Sequence, residues 1–469
     1  MKIKFIKASF IYMIISIIFW QIYETYERNH FINNLCWVFI VLLFVYNTGV
    51  GQDMVNFAHD SLVVKDFRQE ILENDNTDVI SNDIRIITFD QETYENNRSP
   101  GGIFWTPREL LGKTIIKTIE MGATVVAIDF SLEKPVPVTC LNGECVDENT
   151  LYLNLLQKAA DMARKKGCVM IMPNLSLKEK TTKYSTAYKQ LLENNKDVII
   201  CANPLVHQNS QDKIVRHFNL FQANNHDPVF SIPVLSTIYH WFGKEKGDKI
   251  IQKKITEIKE RKELSRIISP QNSEKQILLF YQDPQKECMA ARYRFRILPE
   301  EIIKQKFGVR YISDFIIPPF IVLDQYFDKR RIKGKIVIVG ADYPDFGDIH
   351  KTAVGKIAGI YLMANAMDIL LMGEQIREIH FGIKFIMMIL WVLIASFLFM
   401  HISKKWSIVF LFLLIVTIYS PISVWIFSKC SVFIDFWLPL FIIGILENVE
   451  TIKEYRGSMA RGFRKYFNH

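Results

Sequence analysis

The sequence predicts an α/β fold, namely a mostly parallel, three-layer domain flanked by transmembrane α-helices, one or two before it and three after it. Three observations support this prediction. Short apolar runs of strand length alternate with helical patterns in the middle of the chain, and longer apolar runs are concentrated at both ends. In addition, 49% of the 469 residues are hydrophobic, which is high for a wholly soluble protein.

The middle region contains continuous, β-branched runs, which are typical of strands buried on both faces of a parallel sheet. These runs are residues 84–89, 124–130, 168–172, 197–202, 276–281 and 335–340. Between the first two lies TPRELLGKTIIKTIEMGA, for which we predict a helix with Thr106 as N-cap, Pro107 as first residue and Gly122 as stop signal. A second helix is predicted at about 150–166. The alternation of strands and helices favours right-handed crossovers.

The apolar ends are predicted to cross the membrane. Three C-terminal runs are candidates to span about 30 Å of hydrocarbon at about 1.5 Å per residue, namely 385–400, 406–427 and 431–449. The third is interrupted by Asp435 and Pro439. Two shorter N-terminal runs, 10–23 and 35–50, leave open which of them crosses.

Basic residues predict the orientation. The C-terminal tail carries Lys453, Arg456, Arg461, Arg464 and Lys465, which favours a cytoplasmic end and, after three crossings, an extracytoplasmic domain. The lysines near the N-terminus conflict with this if both N-terminal runs cross. The predicted organisation of this multi-pass inner-membrane protein is an N-terminal membrane region, an extracytoplasmic domain, three transmembrane helices and a short basic tail, at 1–52, 53–378, 379–449 and 450–469.

Acidic residues follow three of the predicted strands. In parallel sheets, ligands bind beyond the carboxyl ends of the strands. A cluster of carboxylates and an imidazole at this edge would bind a cation or a polar ligand, and its candidates are Asp90, Asp129, Asp342, Asp345, Asp348 and His350. The alternative is that each aspartate caps a helix or closes a turn.

The seven cysteines show no zinc-ligand spacing. Cys140 and Cys145 in CLNGEC would close a small disulfide loop in a periplasmic domain, and two free thiols are the alternative. The basic segment 244–267 interleaves Lys and Glu at helical spacing without aromatic residues, which favours a solvated helix over nucleic-acid binding.

Three stretches resemble a known family: IRIITFDQETY, FWTPRELLGKTIIKTIEMGATVVAIDFSLEKP and KIVIVGADYPDFGDIHKTAVGKIAGIYLMANAMDILLMGEQIREI. They look like the start, second unit and end of the CHASE type 2 domain, an extracellular sensory domain of cyclases and histidine kinases. Matching positions of the last block are Gly340, Asp348, His350, Thr352, Gly359, Ala364 and Asn365. Asp212, Val215 and Arg216 match a further segment. The family's two prolines are Ala353 and Ala358 here, and its histidine is Met363.

The resemblance adds three ligand-binding candidates, which are Arg108 in the second stretch and Thr352 and Asn365 in the last. It implies a membrane-anchored sensory or receptor subunit that lies in the lipid bilayer and binds an unknown small-molecule ligand. The sequence has neither a Gly-x-Ser-x-Gly nor a His-Glu-x-x-His motif, so we expect no enzymatic activity, and we expect no cofactor. The sequence contains neither a phosphate-binding loop nor kinase motifs, so we expect a separate effector protein to produce the output. Homodimerisation is left open. The alternatives are a structural membrane subunit and a metal-dependent extracytoplasmic hydrolase.

Overall fold

The computed structural model divides the chain into two units, residues 67–376 and residues 1–66 with 377–469. The residues it describes are 56–66, 81–96, 106–130, 132, 135–136, 139–141, 144–174, 183–204, 206–208, 212–222, 228–260, 264–280, 288–297, 316–342, 348–378 and 381–434. The two N-terminal candidate spans and the basic tail lie outside these residues.

A six-stranded sheet forms the centre of the 67–376 unit, and every neighbouring pair in it is parallel. Across the sheet the strands are β13 (Ile316–Ile317), β1 (Ile84–Phe89), β14 (Ile336–Ala341), β2 (Val125–Asp129), β5 (Val169–Pro173) and β6 (Ile199–Ala202). The continuous apolar runs are explained by their burial, since all six residues of β14 are buried. The predicted parallel α/β sheet is confirmed.

Helices cover both faces of this sheet. One face packs against α2 (Arg108–Glu120), α3 (Glu148–Lys166) and α4 (Lys183–Asn194), with Ile87, Val126 and Val339 in the shared core. The other face packs against α5 (Ile232–Lys259) and α7 (Gly359–Met372). Two short helices are α1 (Gln91–Asn96) and α6 (Pro319–Leu323). The unit therefore has the three layers that the sequence predicts.

Local sequence explains where the helices begin and end. Helix α2 begins at Arg108 with Pro107 in the N-cap position, so the predicted N-cap at Thr106 was wrong by one residue. Its end is as predicted, because Gly122 follows with a φ of 90°. Helix α3 is capped by Asp147, whose Oδ1 accepts hydrogen bonds from the backbone N–H groups of Asn149 and Thr150 at 3.1 and 3.4 Å.

Two sequence predictions in this unit need correction. Residues 276–281 do form a strand, β11 (Gln276–Phe280), but it pairs antiparallel with β10 (Leu264–Ile268) outside the parallel sheet. The predicted helix 244–267 is the second half of α5, which ends at Lys259 and is followed by β10. Periodicity over a short apolar run does not identify the strand's partner, which is chosen by tertiary contacts.

A second sheet was not predicted. Its order is β12 (Cys288–Arg292), β8 (Ile214–Gln222), β15 (Ile349–Thr352) and β16 (Gly355–Ala358), with β7 (Val206–Gln208) and β9 (Val229–Phe230) also paired to β8. It is mixed, because β15 runs parallel to β8 and antiparallel to β16. A hairpin, β3 (Thr139–Leu141) with β4 (Glu144–Val146), lies apart from both sheets.

In the other unit, α8 (Phe381–His401) contains the first predicted C-terminal span. The second lies in Trp406–Cys430, which combines α9 (Lys404–Leu414), a π-helical turn (Ile415–Tyr419) and α10 (Ser420–Cys430). The π-helical turn ends two residues before Pro421, which has no N–H to donate to the carbonyl of Thr417. Among the described residues, Trp406–Cys430 is the one helix that meets both the length and composition criteria for a membrane span.

Of the remaining predictions about membrane spans, the structure tests only where the third C-terminal span begins. Residues Val432–Phe433 form a short strand, β18, parallel to β17 (Arg377–Glu378), so the predicted third span does not begin at residue 431. Beyond residue 434 it lies outside the described part of the chain. The helix of residues 56–66 belongs to the same unit, where His59 lies edge-on to Phe427 and Phe433 with ring centroids 6.4 and 5.8 Å away.

Candidate functional site

The carboxyl ends of three adjacent strands meet at one edge of the parallel sheet. Gly340 of β14 is in register with Thr88 of β1 on one side and with Asp129 of β2 on the other. The strands before Asp90, Asp129 and Asp342 are therefore neighbours, as the expected gathering of acidic residues requires. Edges of this kind are where open α/β sheets bind ligands.

Two of these acidic residues bind partners within the fold. Asp90 Oδ1 accepts hydrogen bonds from the backbone N–H and the hydroxyl of Thr93 at 2.9 and 2.6 Å, so it caps α1. Asp342 Oδ2 accepts a hydrogen bond from the Tyr361 hydroxyl at 2.5 Å. For Asp90 these bonds match the alternative given by the sequence, in which an aspartate after a strand caps the next helix.

Asp129, Asp348, His350 and Tyr293 form a second group, which we call the edge cluster. His350 Nε2 lies 2.8 Å from Asp348 Oδ1, and their side chains are 22% and 49% exposed, so this pair is open to solvent. Asp129 is partly buried at the end of β2. Asp129 and Asp348 are close enough to interact electrostatically, and so are Asp129 and His350.

Two glycines allow the edge cluster to form at the start of α7. A Cβ atom at Gly340 would lie 3.1 Å from Cβ of Asp129 and 2.9 Å from Cδ1 of Ile360. A Cβ atom at Gly359, the first residue of α7, would overlap the Asp348 carboxylate. Both carboxylates therefore lie beside the N-terminal turn of α7, because the glycines leave them room.

Burial raises the pKa of the Asp129 carboxyl group to about 7. The negative charge of Asp348 raises this pKa further, and His350 lowers it. Asp129 thus exchanges its proton near neutral pH, which is unusual for a carboxyl group and is typical of functional sites.

This pKa predicts how stability changes with pH. The folded state holds the Asp129 proton more tightly than the unfolded chain, whose aspartates have pKa values of about 4, so the free energy of unfolding falls as pH rises from about 4 to 7. At pH 8 we expect Asp129→Asn to be more stable than the parent by about 2 kcal/mol, half the equivalent of three pKa units because the group is partly exposed. Denaturant unfolding at pH 5 and pH 8 measures this.

The matched control is Asp328→Asn. Its exposed carboxyl group has a pKa lowered by hydrogen bonds from Arg330, so it does not titrate between pH 5 and pH 8. We expect this variant to keep the parent's pH dependence. An Asp129→Asn variant with an unchanged slope would show that another group is responsible.

Tyr293 was missed by the sequence analysis. Its ring is fully buried and lies against Phe295 and Phe218, with centroid distances of 5.2 and 5.1 Å. Among the residues that the structure describes, its hydroxyl has no hydrogen-bond partner. Burial and the charges of Asp129 and Asp348 raise the Tyr293 pKa, which places the hydroxyl near both carboxylates. The alternating sequence RYRFRI at 292–297 was the available signal.

The 292–297 segment also connects to the end of the unit through ion pairs. Arg294 Nη1 lies 2.6 Å from Glu374 Oε2, and Arg296 binds the same carboxylate. Arg296 Nη1 is also 3.4 Å from Asp368 Oδ2, and both of these side chains are buried. Asp368 Oδ1 in turn accepts the backbone N–H of Ser81 at 2.7 Å.

Thr352 and Asn365 bind the backbone. The Thr352 hydroxyl donates to the carbonyl of Gly355 at 2.7 Å, within the β15–β16 hairpin. Asn365 is fully buried on α7. Its Oδ1 accepts the N–H groups of Arg296 and Ile297, and its Nδ2 donates to the carbonyl of Ile297. These contacts position α7 and the 292–297 segment relative to each other.

Arg108 lies in a pocket of tyrosines. Its guanidinium carbon is 4.8 Å from the ring centre of Tyr184 and 5.6 Å from that of Tyr152. Nη1 donates to the Tyr184 hydroxyl and to the carbonyl of Leu132. The contacting residues belong to α3, to α4 and to the segment after β2. Arg108 therefore lies on the face of the sheet that α2, α3 and α4 cover, and α7 with Ile360 covers the other face.

The other predicted site residues are only partly described. Asp345 lies outside the described residues. Cys140 and Cys145 are register partners in the antiparallel β3–β4 hairpin, and their pairing as a disulfide stays a prediction. Within the described ranges, no group of three or more His, Cys, Asp or Glu side chains is arranged to hold a metal ion.

The fold and the edge cluster define the class of the 67–376 unit: a three-layer α/β domain with polar side chains at the carboxyl edge of its parallel sheet. The model of the CHASE2 domain family matches residues 36–400, and the chain belongs to this family. This match confirms the resemblance to the CHASE type 2 family that the sequence indicated. The CHASE2 domain is a sensory extracellular domain. No curated protein matches the chain, and no solved structure does.

Proposed function

We propose that this protein is a membrane-anchored sensory subunit that detects an extracytoplasmic signal with its CHASE2 domain and acts on a separate effector protein. The observation that carries this proposal is the edge cluster. It places four polar side chains at the carboxyl edge of the parallel sheet, where open α/β sheets usually bind ligands, in a domain whose family is sensory. Ligand binding shifts the population of two arrangements of the helices that follow the domain.

Contacts inside the domain support a route from the edge cluster toward the end of the unit. Tyr293 is flanked in sequence by Arg294, whose guanidinium binds Glu374 at 2.6 Å. Glu374 lies two residues before Ile376, where the unit ends, and Ile376 forms a β-bridge with Arg292. A ligand that moves Tyr293 therefore acts on a segment tied directly to the chain that leaves the domain.

Membrane topology is the first test of this proposal. In intact cells carrying the full chain, with other cysteines replaced by serine, we expect a membrane-impermeant thiol reagent to label Cys140 or Cys145 after mild reduction. A reporter fused after residue 469 is expected to show a cytoplasmic location. The matched control retains Cys168 alone, which is buried and is expected to react only after denaturation.

The opposite result contradicts the proposal. If Cys140 and Cys145 react only after the cells are permeabilised, the domain is cytoplasmic and does not detect an external signal. The structural-subunit alternative predicts instead that substitutions in the edge cluster change nothing beyond folding.

A further inference from the structure

The edge cluster has a feature that folding alone does not explain. A buried hydroxyl group normally finds a hydrogen-bond partner, because leaving it without one costs about 1–3 kcal/mol. Tyr293 is 0% exposed, and within the described part of the chain its hydroxyl has no partner. This hydroxyl lies within electrostatic range of Asp129 and Asp348, whose charges also act on each other. The position of the hydroxyl therefore points to a ligand that completes its hydrogen bonding.

The charge and hydrogen-bonding capacity of the cluster indicate the chemistry of this ligand. The charged groups that act on Asp129 are Asp348 and His350, so two carboxylates face one imidazole, and His350 already pairs with Asp348. A carboxyl group that has lost its proton only accepts hydrogen bonds, and the Tyr293 oxygen also accepts. A complementary ligand brings positive charge and several N–H donors. An anionic ligand would add a further negative charge to the site.

The arrangement favours an organic cation over a metal ion. Within the described ranges, the acidic and imidazole side chains do not form a group of three that could hold a metal ion. An ammonium or guanidinium group reaches acceptors that are farther apart, since its N–H donors point in several directions. Solvent reaches the Asp348 carboxylate, because this side chain is 49% exposed.

We propose that the edge cluster binds a small organic cation through its ammonium or guanidinium head group, with Asp129, Asp348 and the Tyr293 hydroxyl as acceptors. This rests on the proposed function and names the chemical class of the signal. His350 orients the Asp348 carboxylate through their hydrogen bond.

The test uses the full chain in lipid nanodiscs and isothermal titration calorimetry. The probes share a four-carbon chain and differ in charge: putrescine and agmatine are cations, 1,4-butanediol is neutral and succinate is an anion. We expect at least one of the cations to bind at least ten-fold more tightly than the diol and succinate. Asp348→Asn and Tyr293→Phe are each expected to weaken this binding by ten-fold or more.

Matched variants separate binding from folding. Tyr152 is also fully buried with a hydroxyl that has no partner among the described residues, so Tyr152→Phe is expected to bind like the parent. Tyr293→Phe removes a hydroxyl without leaving a partner behind, and its midpoint of thermal unfolding is expected to equal or exceed that of the parent. Asp328→Asn is the control for Asp348→Asn, since it neutralises an exposed carboxylate elsewhere.

Three results would overturn this inference: neither cation binds more tightly than the diol and succinate, Tyr293→Phe binds like the parent, or magnesium chloride binds more tightly than both cations. The first and third outcomes reject the organic-cation class, the second rejects Tyr293 as an acceptor in the site, and all three leave the topology experiment intact. The sensory role is tested separately by the topology experiment, and a cytoplasmic location of the domain would contradict it.

Discussion

Replacing Asp368 by alanine is expected to lower the free energy of unfolding of the 67–376 unit by about 3–5 kcal/mol, the usual cost of breaking a buried ion pair. Asp368 is fully buried, pairs with Arg296 and accepts the backbone N–H of Ser81 at 2.7 Å. Its loss leaves the buried Arg296 with less compensating charge and deprives the Ser81 N–H of its acceptor. Pulse proteolysis of the full chain in urea measures the change.

The control for this variant is the double substitution Asp368→Leu with Arg296→Met, which removes both members of the pair. Buried ion pairs replaced together by apolar residues of similar volume often cost little, so the double variant is expected to be more stable than Asp368→Ala. If Asp368→Ala costs less than about 1 kcal/mol, the amount typical of an exposed pair, the ion pair does not stabilise the domain.

Gly373→Ala is expected to cost about 2–4 kcal/mol, for two separate reasons. Gly373 ends α7 with a φ of 72°, a left-handed conformation that disfavours a Cβ atom. A Cβ there would also lie 2.9 Å from Cα of Lys275 and 3.1 Å from the backbone N of Gln276, and neither main-chain atom can rotate away. The same urea and proteolysis measurement applies.

Gly167 provides a matched control, because it ends α3 in the same left-handed conformation, with a φ of 70° and no atom within 4 Å of the added Cβ. Gly167→Ala is therefore expected to cost only the conformational penalty of about 1 kcal/mol. The difference between the two variants isolates the close approach of α7 to the Lys275 backbone. Equal costs would mean that this contact has no energetic role.

Much of the parallel sheet was predictable because its strands are buried on both faces. Such strands have continuous β-branched runs, and those of β1 and β14 were located to within one residue. The β10–β11 pair and the sheet around β8 were not predictable in the same way. Their partners are distant in sequence, and alternating or short apolar runs do not specify which strand they join.

The residues of the candidate site also differ in whether the local sequence could predict them. Asp129, Asp348 and His350 were predicted from acidic residues after strands and from the family resemblance. Asp90 was named with them, and the structure shows that it caps α1 through Thr93. Tyr293 was not predicted, since nothing adjacent to it in sequence indicates that its hydroxyl lies near carboxylates contributed by two other segments.

The amino-acid sequence by itself determined the α/β class, the family and the apolar C-terminal helices, because these depend on composition, periodicity and short motifs along the chain. Only the tertiary structure decided that β14 lies between β1 and β2, and thus that Asp129 and Gly340 meet at one edge. It also decided that Tyr293 and Asp348 share an environment. Such proximity depends on how distant segments pack, and packing selects among the many pairings that local pattern allows.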